Sequence, residues 1–95
     1  MKKIWKYQFP VEQDKIVQAV PQGLIPLHVG AQYGDVCLWV EVYDSAPLVR
    51  QSWYIIGTGW EVPDKATYLG TAIVGSFVWH LYDGGWKPID RKKDV

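Results

Sequence analysis

Large apolar side chains alternate with polar ones along most of this 95-residue chain. In residues 4–11, Trp5, Tyr7 and Phe9 share one side and polar residues fill the other, which is the period-two pattern of a half-buried strand. Residues 36–43, VCLWVEVY, are apolar almost throughout, so we expect a strand that is covered on both faces. The other apolar segments predict strands over residues 14–20, 24–32 and 49–56, and a hairpin or one long bent strand over residues 68–82.

Glycine and proline residues mark the boundaries between these segments. Tyr33-Gly34-Asp35 predicts a tight hairpin, and Val74-Gly75-Ser76 predicts the turn of the last hairpin. Asp83-Gly84-Gly85 is expected to stop the last strand. Residues 61–67, EVPDKAT, have a proline near their start and predict one helical turn.

These elements together predict an all-β fold with a minor helical turn. Six to seven short strands with turns between them are typical of a compact antiparallel β-sandwich or small barrel. The length corresponds to one domain. We place a single β domain at residues 1–86 and a charged C-terminal tail at residues 87–95.

The composition adds an excess of apolar surface. Hydrophobic residues make up 48% of the chain, and six residues are tryptophan. Each tryptophan buries about 150–250 Å², whereas a chain of this length has a small core. Some of the apolar area is therefore expected in a homo-oligomer interface or a ligand pocket.

The single cysteine, Cys37, excludes an internal disulfide framework and a cysteine-rich zinc site. Because it stands in an apolar run, we expect a buried and inert thiol. The first residues lack the apolar stretch of a secretory signal, and no apolar run approaches the ~20 residues that span a membrane. The chain is therefore interpreted as soluble and intracellular, without a membrane partner.

The charges are distributed unevenly, although the net charge is zero. Basic residues gather at both ends. Between Tyr7 and Trp86 the strong bases are Lys15, Arg50 and Lys65, against eight acidic residues. A basic stripe that follows a nucleic-acid backbone is absent from this pattern, so long nucleic acids are not expected as partners.

Residues 50–60, RQSWYIIGTGW, are the best candidate for a binding site. A strand runs into a glycine-rich turn with an indole at each end. Nucleotide bases stack on such rings, and backbone N–H groups, hydroxyls and an arginine fork hold phosphate oxygens. The candidate ligand-binding residues are Arg50, Trp53, Gly57, Thr58, Gly59 and Trp60, joined by Thr71, Trp79 and His80 from the neighbouring hairpin and by Trp5 and Tyr7 from the first strand. A plain turn in a tryptophan-rich core is the alternative, in which these rings are structural.

Catalysis is not predicted. Neither His28 nor His80 lies in a hydrolase or metalloprotease signature. Gly57-Thr58-Gly59 lacks both the lysine of a phosphate-binding loop and the full dinucleotide fingerprint. No metal-ligand spacing is present. The chain is therefore expected to be a binding protein, with no catalytic residues, metal site or cofactor.

Several sequence pieces together carry a resemblance. IWKYQFPV, LHVGAQYGDVCLWVEV, IIGTGW, YLGT and FVWHLYD, in this order from Lys3 to Asp83, resemble a group of small phage and prophage proteins classed as a domain of unknown function. In such relatives a histidine is expected after the Gly-Thr-Gly. Trp60 occupies that place here, so a role of that histidine does not transfer.

Small oligomeric phage proteins of this kind include anti-CBASS sponges, and the chain is similar to them in its rings and glycine-rich turns. The resemblance implies a protein that sequesters a cyclic nucleotide signal, such as the cyclic dinucleotide cGAMP, without turnover in the cytoplasm of an infected bacterial host. It also implies a homo-oligomer with the ligand near a subunit interface. Two alternatives remain: a protein–protein inhibitor or phage accessory protein with an aromatic interface, and a nuclease or phosphodiesterase for the same nucleotides.

Overall fold

The apolar and alternating segments form seven β-strands. The structure, a computed structural model, describes residues 1–12 and 14–89. No helix occurs among these residues, so the prediction of an all-β fold with six to seven strands is confirmed. The strands are β1 (Lys2–Phe9), β2 (Lys15–Pro21), β3 (Ile25–Gln32), β4 (Asp35–Tyr43), β5 (Leu48–Gly57), β6 (Thr67–Val74) and β7 (Phe77–Pro88).

The strands form two antiparallel sheets that face each other as a sandwich. One sheet has three strands in the order β1-β4-β3, and the other has four in the order β2-β5-β7-β6. The register sets Tyr7 opposite Leu38 in the first sheet and Ile56 opposite His80 in the second. Because successive side chains point to opposite faces, this register sends one apolar row of each strand inward.

Trp53 on β5 joins the two sheets. Its side chain is 1% exposed, and its ring centroid lies 5.4 Å from that of Tyr7 and 5.0 Å from that of Phe9, both on β1 of the opposite sheet. Sequence analysis left two roles open for Tyr7 and Trp53, ligand binding or core packing. Both side chains lie in the core. Inner-face residues of both sheets complete it: Val20, Val29, Val36, Leu38, Val40, Val42, Val49, Ile55, Ala72 and Leu81.

The apolar run of β4 forms the central strand of the three-stranded sheet. β1 and β3 flank it on both sides. Cys37 lies on this strand with no exposed surface, and burial raises the pKa of its thiol above the ordinary value. The expectation of a buried thiol is therefore confirmed, and a raised pKa lowers the reactive thiolate fraction at neutral pH.

Two tight turns follow the sequence prediction. Tyr33 and Gly34 connect β3 and β4 with φ angles of 56° and 80°, and Gln32 pairs with Asp35 beside them. Two positive φ angles are characteristic of the hairpin turn whose twist matches that of its strands. Gly75, with a φ of 61°, likewise begins the two-residue turn between β6 and β7.

The predicted helical turn at residues 61–67 is wrong. The backbone makes a tight turn at Asp64 and Lys65, where the Ala66 N–H donates to the Pro63 carbonyl at 3.3 Å. Lys65 has a φ of 65°, a left-handed conformation that a right-handed helix does not continue through. The chain then enters β6 directly.

The predicted stop at residues 83–85 is also wrong, because β7 continues to Pro88, which pairs with Val49 on β5. The strand bulges opposite Ser52, where the register shifts between Gln51 and Trp53. The Asp83 carboxylate accepts hydrogen bonds from Gln51 Nε2 at 2.7 Å and from the Gly85 N–H at 2.6 Å, which hold the bulge. β7 therefore passes the predicted domain boundary at residue 86, and residues 90–95 of the predicted tail lie outside the described part of the chain.

The two sheets approach each other closely where β6 faces β3. A Cβ atom placed on Gly70 would lie 2.6 Å from the Val29 Cβ, far inside ordinary van der Waals contact. The register of β6 against β7 also shifts between Tyr68 and Gly70. Gly70 is thus needed because a neighbouring sheet occupies the space of a side chain.

We expect Gly70→Ala to lower the free energy of unfolding by about 1–3 kcal/mol, since the added methyl group overpacks the contact with Val29. Urea unfolding of Gly70→Ala, Val29→Gly and the double variant measures this as a cycle, since glycine at position 29 removes the Cβ that would lie 2.6 Å away. The double variant should lose less than the sum of the single losses, by about 0.5 kcal/mol or more. Strict additivity would mean that the two residues do not meet.

Trp53→Ala should remove about 3–5 kcal/mol of stability, because it opens a cavity between the sheets. Urea unfolding followed by far-ultraviolet circular dichroism gives the value. Trp86→Ala is the matched control, since that ring is 51% exposed. Equal losses for the two variants would contradict the placement of Trp53 at the centre of the core.

Candidate ligand-binding site

The segment that sequence analysis singled out ends in a hydrogen-bonded turn. The Trp60 N–H donates to the Gly57 carbonyl at 3.0 Å, and Gly59 has a φ of 92°. A positive φ at the third of four residues is the pattern of a type II turn, which favours glycine there. The turn reverses the chain at the end of β5 and brings Trp60 back over Gly57.

Trp60 lies directly against the bare backbone of Gly57. A Cβ atom on Gly57 would lie 2.8 Å from Trp60 Cε2, so a larger residue at this position displaces the indole. Trp60 meets Trp79 edge-on, with ring centroids 5.6 Å apart and planes at 77°. Phe77 extends the group, with its centroid 6.1 Å from that of Trp79.

These rings surround an open pocket of about 450 Å³, called here the aromatic pocket. Its volume falls in the range of small-molecule sites. Trp60 is 55% and Phe77 is 65% exposed, so ring faces are available to a ligand. The lining residues are Gly57, Thr58, Trp60, Ser76, Phe77, Val78 and Trp79.

The indole N–H of Trp79 is a buried donor beside this pocket. Within the described part of the chain it has no hydrogen-bond partner. A buried donor without an acceptor costs about 1–3 kcal/mol.

A chain of polar side chains runs behind the turn on the outer face of the four-stranded sheet. His80 Nε2 lies 2.9 Å from the Thr58 hydroxyl, and His80 Nδ1 lies 2.9 Å from the Thr71 hydroxyl. The Tyr68 hydroxyl continues the chain to Thr71. Since hydroxyls both donate and accept, either neutral tautomer of His80 satisfies this arrangement. The imidazole thereby fixes the position of Thr58 at the edge of the pocket.

The structure therefore brings together part of the predicted set of ligand residues. The residues at or beside the aromatic pocket are Gly57, Thr58, Gly59, Trp60, Thr71, Trp79 and His80. Tyr7 and Trp53 lie in the core. Trp5 is on β1 of the other sheet, opposite Val40.

Arg50 is separated from the turn by the length of β5. Gly57 follows Arg50 by seven positions, and a strand rises about 3.3 Å per residue, so about 23 Å divides them. Arg50 lies instead near Lys15 and Lys87. One ring-sized ligand does not touch both ends of the strand.

Ser76, Phe77 and Val78 line the pocket but were not among the predicted residues. Ser76 belongs to the turn between β6 and β7, and Phe77 and Val78 begin β7. Gly57 pairs with Trp79 in the register of β5 and β7. An antiparallel pairing of the last hairpin with residues 49–56 would have placed this turn beside the Gly-Thr-Gly. The sequence alone gave no strand order from which to infer that pairing.

Residues 1–12 and 14–89 contain neither a metal-binding cluster nor a membrane-spanning helix. No group of three or more His, Cys, Asp or Glu side chains in this range is arranged to hold a metal ion. No helix in the same range is long and apolar enough to cross a membrane.

Comparison with known proteins identifies a family. The model of a domain of unknown function, DUF7352, matches residues 1–88. The chain belongs to the DUF7352 family. The matched range includes all seven described strands and every residue that lines the aromatic pocket, so the whole sandwich is the DUF7352 domain. No curated protein and no solved structure matches the chain.

Replacing Thr58 by valine in this DUF7352 domain should release the Nε2 side of His80 while the fold is kept. The hydrogen bond is exposed, so we expect a stability loss of no more than about 1 kcal/mol. Long-range ¹H–¹⁵N spectra of the imidazole should show a shift at Nε2 and a smaller one at Nδ1, where Thr71 stays in place. An unchanged Nε2 signal would contradict the contact.

Proposed function

We propose that the chain binds a nucleotide-type ligand in the aromatic pocket and holds it without chemical turnover. The observation that supports this most directly is the set of open ring faces on Trp60 and Phe77 beside the Gly57–Trp60 turn. Stacking of a base on an aromatic side chain is worth about 1–3 kcal/mol. A planar heteroaromatic ring fits this surface better than an aliphatic ligand does.

Polar groups at the rim favour a ligand that carries heteroatoms. Thr58 and Ser76, which both carry hydroxyl groups, line the pocket, and His80 is hydrogen-bonded to Thr58. A few oriented polar groups in a mainly apolar pocket are typical of small-molecule recognition.

The ligand class that we propose is a cyclic nucleotide signal of bacterial anti-phage defence, such as the cyclic dinucleotide cGAMP. The resemblance to phage-encoded proteins supports this choice, and the protein would then act as a sponge in the cytoplasm of the infected host. A cyclic dinucleotide has two bases, whereas one aromatic pocket suits one base. Two copies of the chain would each supply a pocket, with the ligand at or near their interface.

Exposed apolar side chains around the pocket favour a homo-oligomer. Trp60, Val62, Ile73, Phe77 and Val78 are each at least 37% exposed on this end of the molecule. Ile73 and Val78 are direct cross-strand partners on β6 and β7. Neighbouring apolar side chains of this kind are characteristic of a contact surface.

The same surface supports a second candidate function, a protein–protein inhibitor that uses aromatic side chains as its main contacts. Tryptophan is enriched among the residues that dominate binding energy in such interfaces. This candidate requires a partner protein over the pocket instead of a nucleotide in it. The ligand experiment separates the two.

Thermal unfolding against a panel of cyclic and linear nucleotides tests the proposal. A ligand at 100 times its Kd adds about 2.7 kcal/mol to stability, so at least one cyclic dinucleotide or trinucleotide should raise Tm clearly. Heating the complex should release intact ligand, and light scattering should give at least two copies of the chain in the complex. Absence of a Tm shift with every cyclic nucleotide would reject the sponge, and recovery of a cleaved ligand would identify an enzyme.

Trp60→Ala should weaken ligand binding about tenfold or more, because one stacking face is lost. Trp5→Ala is the matched control, since Trp5 lies on the other sheet and is 37% exposed. Calorimetric titration of both variants gives the two Kd values. A larger loss for Trp5→Ala would move the site away from the aromatic pocket.

A further inference from the structure

A second cavity lies on the outer face of the four-stranded sheet, at the end of β5 opposite to the aromatic pocket. It has a volume of about 240 Å³ and is called here the basic pocket. Three cationic side chains reach it from three adjacent strands: Lys15 from β2, Arg50 from β5 and Lys87 from β7. Tyr54 and Trp86 supply ring surfaces, and Ser52 supplies a hydroxyl.

The concentration of positive charge here is unusual for this chain. Between Tyr7 and Trp86 the sequence has three strong bases, and two of them, Lys15 and Arg50, meet at the basic pocket. The described residues that line it include no carboxylate. Lys15 and Lys87 make no ion pair within the described part of the chain, whereas Arg50 has a contact of its own.

The register places like charges side by side. Arg50 is the direct cross-strand partner of Lys87. Like charges directly opposite each other on a sheet destabilise it. An oxyanion that binds Lys87 and Lys15 accepts charge-assisted hydrogen bonds, which are about twice as strong as neutral ones.

The bulge of β7 forms one side of the basic pocket. The bulge of β7 sets Gly84 and Gly85 opposite Ser52. A Cβ atom on Gly84 would lie 2.6 Å from the Tyr54 ring and 3.2 Å from Ser52 Cβ. Glycine therefore lets the Tyr54 ring approach the backbone of β7 closely, and Lys15 Nζ lies 5.8 Å from the centroid of that ring. The rings of Tyr54 and Trp86 and the small polar residue Ser52 line the basic pocket together with the cationic side chains.

We propose that the basic pocket binds the phosphate group of a small phosphorylated ligand, with Lys15 and Lys87 as its principal contacts. The site is separate from the aromatic pocket, because about 23 Å of β5 divides Arg50 from Gly57. It does not depend on the proposed nucleotide function. A phosphate ester or a pyrophosphate group matches both the charge and the volume.

Titration of the full chain with sodium pyrophosphate at constant ionic strength tests the site. Amide ¹H–¹⁵N spectra should show saturable shifts at Ser52, Tyr54, Gly84 and Gly85. Lys15→Gln and Lys87→Gln should each raise the Kd about tenfold, as expected for loss of a charged hydrogen bond. Lys65→Gln is the matched control, because Lys65 lies in the turn before β6 and outside the pocket. It should leave the Kd unchanged.

Three outcomes would overturn the proposal. The first is the absence of a saturable shift in the unmodified protein, and the second is a rise of the pyrophosphate Kd in Lys65→Gln equal to that in the pocket variants. The third is tighter binding of a single-stranded oligonucleotide without terminal phosphates than of pyrophosphate. The last would indicate a surface that follows a nucleic-acid backbone. Trp60→Ala should leave pyrophosphate binding intact, and Lys87→Gln should leave the nucleotide-induced Tm shift intact. Failure of one site is thus distinguishable from failure of the other. Unchanged amide dispersion in each variant shows that the fold is retained.

Discussion

The contact of Trp53 with Tyr7 and Phe9 is the interaction on which the rest of the molecule depends. It joins β5 of one sheet to β1 of the other through rings 5.4 and 5.0 Å apart. The alternation of each strand places its remaining apolar row against this group. Because side chains alternate along a strand, the residues that point inward also determine which residues point outward. The alternation that buries Trp53 therefore turns Arg50 and Tyr54 outward toward the basic pocket. The same strand register therefore determines both the core residues and the residues of the basic pocket.

Much of the fold was accessible from the sequence because period-two patterns and positive-φ turns are local signals. The alternation over residues 4–11 and the glycine after Tyr33 predicted β1 and the β3–β4 hairpin correctly. The errors arose where tertiary contacts override local preference. Asp83-Gly84-Gly85 has the composition of a turn, yet pairing with β5 and the hydrogen bonds of Asp83 carry the strand through it as a bulge. Lys65 takes a left-handed conformation that no local pattern indicates.

The candidate site was predictable in part for a similar reason. Residues close in sequence were grouped together, but an extended strand separates Arg50 from Gly57 by about 23 Å. Thr71 and His80 were both assigned to the last hairpin, one of the two forms predicted for residues 68–82, and they are cross-strand partners in it. Phe77 escaped prediction because its place beside Trp60 follows from the pairing of β5 with β7. Strand order is a long-range property that a single sequence does not encode in any local window.

The order in which the chain visits the two sheets has a consequence for how it folds. β1 lies in one sheet, β2 in the other, β3 and β4 return to the first, and β5 to β7 complete the second. The chain therefore crosses between the sheets three times, and neither sheet is a continuous piece of sequence. β1 has no hydrogen-bonding partner until β4 is in place, and β2 has none until β5 is in place. Such distant pairings slow folding and leave no autonomous half, so this small sandwich forms as a single cooperative unit.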